Sequence, residues 1–307
     1  MTNDASYTIE EVSQLLKVSK LTVYDLIKKD QLPAYRVGRQ MRIDAVDLER
    51  YKSKSKTGIT KNKAVKEVKE KVHSVDDGHV IISGQDIVLD ILAKHIENEK
   101  GQPPLRMYSG SLNSLFSMYR GECNVVSCHL FDGDTGEYNT SYVKKILVSQ
   151  PFIQLNLVYR TAGIYVQKGN PLHIQGWADL GRADVTIMNR EVGSGARVLL
   201  DEQLRVHGFN ASKLNGYDHV LTSHYSVASA VASGQADIGI GIENVTKMVN
   251  VDFIPLISEQ YDLIILKENE ELVQLLKETV NSQSYKKEIE QLYGYDLRKC
   301  GEVIYES

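Results

Sequence analysis

Asn189–Arg197, NREVGSGAR, is the stretch on which the fold turns. It follows an apolar run that reads as a strand over 184–188 and leads into helical periodicity over 195–207. A strand that exits through small residues into a helix lets backbone N–H groups approach a ligand. The helix N-terminus adds roughly half an elementary positive charge. Two other stretches repeat this design: SGSLNSL at 109–115 and TSHYSVASAV at 222–231. Converging termini of this kind make an anion site. A nucleotide P-loop is excluded, because no Lys follows Gly195 as GxxxxGK[ST] requires.

Working outward, strand and helix patterns alternate. Strands are expected at 79–83, 104–108, 123–127, 184–188, 236–240 and 261–266, and helices at 86–99, 111–120, 195–207, 225–233 and 269–280. This order predicts an α/β fold with parallel sheets. The segment 129–165 reads as long and irregular and separates two groups of strands, so two lobes are expected.

The 307 residues exceed an ordinary single domain. Uncharged apolar runs are too short for a membrane span, and MTNDASYTIEEV lacks signal-peptide order, so a cytoplasmic location is expected. Cys123, Cys128 and Cys300 are too few and too irregular for a disulfide framework. CNVVSCHL (123–130) reads as a buried strand and its exit rather than a metal site, and no metal or cofactor is expected. Charge is uneven: residues 1–72 hold 16 Lys and Arg against 10 Asp and Glu, while the remainder holds 20 against 30. A basic head on an acidic body points to a polyanion at the head alone.

That head is punctuated as helix, short turn, helix. Thr8 and Glu11 form a capping box, Val12, Leu15 and Leu16 give an apolar face, and Ser19 can cap a second helix. Pro33 stops it. LPAYRVGRQMRID then alternates about Gly38 as a small hairpin, and Asp44 can cap a last helix. Residues 6–52 resemble the excisionase and MerR-type winged helix-turn-helix domain through TIEEV, VS, TVY, LPAY and VG in order. DNA-contacting candidates are Ser19, Lys20, Thr22, Tyr24 and Lys28 on the second helix, with Arg36, Arg39 and Arg42 on the hairpin. Asp25 breaks the basic pattern. Residues 53–77 read as a basic linker and a short helix in which Val65, Val68, Val72 and Val75 follow a heptad; it either joins two chains or docks on its own domain.

Over about residues 78–292 the motifs ISGQD, SGS, HLFDGDTGEYN, GIYVQKGNP, NREVGSGAR, AVASGQADIGIG and YDLII resemble the periplasmic-binding-protein-like domain of the molybdate-binding kind. The resemblance implies a type II two-lobed body over 78–307, with lobe one at 78–160 plus 251–307 and lobe two at 161–250. It places a ligand at Ser109, Ser111, Arg160, Arg190, Ser194, Gly195, Arg197 and Tyr261. An Arg can grip two oxygens of an oxyanion or an organic anion. His224 either donates to the ligand or senses pH, or it bonds backbone at a helix start, and His129 and Asp132 are expected to order the long loop. The expected function is a dimeric DNA-binding regulator, not an enzyme, that senses molybdate or a similar oxyanion. An organic-acid sensor and a recombination or architectural accessory protein without a small ligand are the alternatives.

Overall fold

The computed structural model describes residues 6–16, 18–28, 32–37, 40–45, 47–48, 51 and 79–307. Two compact units, Met1–Lys69 and Glu70–Ser307, each fold about their own contacts. The heptad valines and Arg39 lie outside the described residues.

In the head, β1 (Ser6–Thr8), α1 (Ile9–Leu16), α2 (Lys20–Lys28), β2 (Tyr35–Val37) and β3 (Gln40–Asp44) follow in order. The capping box forms as expected: Thr8 N–H donates to Glu11 Oε2 at 2.8 Å and Glu11 N–H to Thr8 Oγ1 at 3.3 Å. Ser19 Oγ accepts from Thr22 N–H at 3.1 Å and so starts α2. The antiparallel sheet runs β1-β3-β2. Ile9, Val12, Val23, Leu32, Ile43 and Leu48 close the core beneath it.

The body is built on one mixed sheet. Lobe one supplies β4 (Ile81–Ser83), α3 (Ile87–Lys100), β5 (Leu105–Met107), α4 (Ser111–Tyr119), β6 (Val125–Cys128) and α5 (Thr140–Ile146). A 15-residue strand, β7 (Phe152–Val166), then crosses into lobe two. There β8 (Ile187–Arg190), α6 (Gly195–Val206), β9 (Val220–Leu221), α7 (His224–Ala232) and β10 (Ile238–Ile242) follow. A second 15-residue strand, β11 (Asp252–Leu266), returns. The chain closes with α8 (Glu270–Asn281), α9 (Gln283–Glu290), β12 (Tyr295–Asp296) and β13 (Val303–Glu306). Strand order is β5-β4-β6-β11-β7-β10-β8-β9, with β12 and β13 also paired to β7.

Two expectations need correction. The segment 129–165 is not irregular throughout, because its last third is β7. Its apolar pattern is broken by Gln154 and Asn156, which are nevertheless buried: both donate to the buried Asp262 carboxylate, at 2.7 and 2.8 Å. The return to lobe one is not at 251 either. Asp252–Ile257 pair with Val166–Ala162, and Ile254, Leu256 and Ile257 pack on the lobe-two core, so the chain re-enters lobe one at about Glu259–Tyr261. A single strand serving both lobes leaves no turn signal at the junction.

Candidate functional site

Four helix starts meet where the lobes face each other: α3 behind its N-cap Asp86, α4 behind Gly110, α6 behind Ser194 and α7 behind Ser223. Residues from each line a cavity of about 40 Å3. A water needs ~10–15 Å3 on this measure, so the space suits a group of about three or four water-sized atoms. The lobes touch across it, with Leu112 N–H donating to Gly193 O at 2.9 Å.

Small residues are required on both walls. A Cβ on Gly110 would stand 2.8 Å from Gly193 O, and one on Gly195 would stand 2.4 Å from the His129 ring. Gly84, at φ +148°, has a backbone that side chains rarely adopt, and a Cβ there would collide with Ser127.

Of the residues expected at a ligand, Ser109, Ser111, Arg160, Arg190, Ser194, Gly195, His224 and Tyr261 line this cavity. Arg197 does not. Its guanidinium turns back to Asp201 at 3.1 Å, stacks on Tyr217 at 4.0 Å and donates to Arg190 O at 3.3 Å, so it braces the strand that carries Arg190. An Asp one helical turn along α6 pulls it away from the cleft. The Ser194 hydroxyl donates to Glu191 O at 2.9 Å and accepts from Arg197 N–H at 3.3 Å. What remains for a ligand at this wall is the backbone beyond the cap.

Several lining residues were not anticipated: Gln85, Asp86, Ser127 and Ile242, and above all His129. Asp132 does order the loop, accepting from Asp134 N–H at 2.9 Å and Ser141 Oγ at 2.5 Å. His129 instead packs under Gly195 in the cavity. The signal for Asp86 was present in ISGQD, where Asp can cap a helix; its Oδ1 accepts from Val88 N–H at 2.9 Å.

The charges are tightly paired. Arg160, in register with Glu259 across β7 and β11, donates to Glu259 Oε1 at 2.5 Å, contacts Asp86 and lies 4.3 Å over the Tyr261 ring. Arg190 donates to Glu191 at 2.8 and 3.0 Å, to Gln85 at 2.9 Å and to Thr222 O at 3.3 Å. Each guanidinium keeps one terminal nitrogen, Nη2 of Arg160 and Nη1 of Arg190, with no hydrogen bond to the described residues. Burial alone would raise the Glu259 carboxyl, but Arg160 and His129 outweigh it and hold the group down at about 2. His129 is lowered by burial, against the pull of Glu259. His224 is lowered further, by burial and then by Arg190, Arg160 and His129. His129 Nδ1 stands 2.8 Å from Glu259 Oε2 without hydrogen-bond alignment; both atoms, and His224 Nδ1, are enclosed with no partner among the described residues.

A family model described as the PBP superfamily domain matches residues 93–281. The chain belongs to the PBP superfamily. A second model, a helix-turn-helix domain, matches residues 6–56. The Bacillus subtilis (strain 168) protein YvgK is 56% identical over the whole of both chains. Among solved structures, a phosphate ABC transporter substrate-binding protein from Clostridium perfringens with bound phosphate aligns with a TM-score of 0.52 at 15% identity, covering 72% of this chain and all of that one. An ancestral arginine-binding protein bound to arginine aligns with a TM-score of 0.51 at 18% identity, covering 71% and 99%. This PBP body is therefore of the type II binding-protein fold, and an excisionase-type helix-turn-helix precedes it.

In that head, Thr22, Tyr24 and Lys28 on α2 and Arg36 on β2 are exposed. Lys20 pairs with Glu10 at 2.8 Å, Ser19 is occupied as a cap, and Arg42 reaches Ser6 at 3.3 and 3.4 Å. The α2 residues project from one short helix next to the basic hairpin, as a groove-reading element requires.

Proposed function

We propose that the chain is a cytoplasmic, dimeric transcription regulator, not an enzyme, whose PBP body closes on a small oxyanion, molybdate or one of similar shape, and thereby changes the DNA affinity of the head. A helix-turn-helix joined to a solute-binding domain supports the coarse reading. The small cavity of about 40 Å3 carries the finer one. Four helix starts meet at it and the Arg160 and Arg190 side chains line it, and these groups stabilise negative charge. The solved relatives hold phosphate in one case and arginine in another, so the fold leaves the ligand open. Size favours the oxyanion, since an amino acid or other extended organic acid needs the lobes apart.

The test is calorimetry on the full-length chain with molybdate, sulfate, phosphate and arginine in turn. Saturable binding of one oxyanion, with arginine silent, is the expected result. Heat from arginine or an organic acid alone would transfer the site to a metabolite.

A further inference from the structure

We propose that His224 takes up a proton from solvent when the anion enters, so that the body binds an anion and a proton together. The inference rests on the oxyanion reading of the cavity and extends it to regulation by pH.

The argument is one of charge. Two buried cations, Arg160 and Arg190, face the cavity. Three carboxylates already neutralise them: Asp86 and Glu259 on Arg160, and Glu191 on Arg190. The paired groups thus carry one more negative charge than positive before any ligand arrives. A dianion adds further charge of the same sign beside these buried ion pairs, where uncompensated charge is costly. Lowering that cost without dismantling an ion pair requires a neutral group that can become a cation, and the cavity lining offers His129 and His224.

Of the two, His224 is the better placed. His129 Nδ1 already stands 2.8 Å from Glu259 Oε2, and its ring is covered by Gly195. His224 begins α7, and its Nδ1 is buried with no hydrogen-bond partner among the described residues, which buried nitrogens rarely tolerate. The charged or titratable groups that act on it are Arg190 from β8, Arg160 from β7 and His129 after β6. All three disfavour a proton on His224 while the cavity holds no anion. A bound oxyanion adds negative charge beside the ring, which favours its protonated form, and can accept from an Nδ1–H.

Calorimetry on the full chain in two buffers of different ionisation enthalpy measures the protons taken up per anion bound. Molybdate, sulfate and phosphate serve as probes, with phosphate corrected for its own titration. Uptake approaching one proton between pH 7 and 8 is expected, with affinity falling up to tenfold per pH unit as pH rises. In His224→Gln, uptake and pH dependence should vanish and affinity at pH 7 should fall toward the level the parent shows at high pH, whereas His129→Gln, whatever its affinity, should keep both the uptake and the pH dependence. Binding without uptake overturns this inference and leaves the oxyanion site standing; uptake lost in His129→Gln but kept in His224→Gln overturns the assignment. Failure of every probe to bind overturns the oxyanion reading and this inference with it.

Discussion

Gly195 lies against an imidazole from the opposite wall, and that contact ties one residue to the closure of both lobes. A methyl group there would stand 2.4 Å from the His129 ring. The ring is fixed between Glu259 and Tyr261, 5.5 Å from the latter by centroid, so it has little freedom to retreat. Gly195→Ala should therefore hold the lobes apart and weaken the bound oxyanion at least about tenfold, which is ~1.4 kcal/mol, with a smaller loss in thermal midpoint. Calorimetry and a melting curve on the same sample check it, and undiminished affinity would show that closure is not needed. The two cavity histidines give a second prediction at this scale. Both are held below the ordinary histidine value of 6.5, so in the folded state they stay neutral where the unfolded chain is already protonated. The unfolded state then binds more protons below 6.5, and the stability these groups contribute is complete above that pH and falls as pH drops. Glu259 adds loss only further down, between its ordinary 4.5 and about 2. Urea unfolding should weaken from pH 7.5 to 5.5 in the parent chain, by up to ~1.4 kcal/mol per unit for each histidine. The decline should be shallower in His129→Gln; a flat profile in the parent would contradict the buried neutral state.

At the scale of elements, β7 and β11 contribute to the cores of both lobes. Arg160 sits at their crossing, nearly fully buried between Asp86 and Glu259. Removing one member of such a cluster leaves charge buried without a partner, and Arg160→Ala should cost ~3–5 kcal/mol. Arg160→Lys should rescue only part, because an ammonium cannot span both carboxylates and still lie flat on Tyr261. Chemical denaturation of both variants measures this, and a loss under 1 kcal/mol would mean that the cluster is as weakly coupled as a surface pair. These strands also mark what the sequence could and could not disclose. Helices α3, α4, α6, α7 and α8 were legible because caps and glycines punctuate them: Ser194 before α6, Gly110 before α4, Asn269 before α8. The long strands were not, because Gln154, Asn156, Glu259 and Asp262 read as surface positions when each is taken alone. They are buried because each finds a partner across β7 and β11: Gln154 and Asn156 donate to Asp262, and Arg160 donates to Glu259. The cavity-lining Ser109, Ser111, Arg190 and Ser194 shared the visible signature of strand exits, whereas Arg160 lies within β7. His129 was hidden because its role depends on lobe two closing over it.

For the whole molecule, the proposed coupling between head and body is bound by linkage. If the anion changes DNA affinity by some factor, DNA must change anion affinity by the same factor. A tight ligand with no preference between two states shifts nothing. The heptad stretch with Val68 and Val72, which joins head to body in sequence and lies outside the described residues, is the carrier this reading expects. Lysine at both positions places charge on the only apolar seam the stretch has, and such a seam is what pairs two helices. DNA recovered by the full-length chain from a random pool, labelled for anisotropy, supplies the readout. In the parent chain, saturating molybdate should shift DNA affinity by about 5- to 150-fold, the ordinary range for allosteric coupling, and calorimetry with and without DNA should return the same ratio. In the Val68→Lys, Val72→Lys variant that ratio should fall to one while molybdate affinity without DNA stays unchanged, since no cavity residue is altered. Coupling that survives the double substitution would remove the heptad stretch from the mechanism. Unequal ratios from the two arms would mean that anion and DNA are not competing for one equilibrium between two arrangements of the chain.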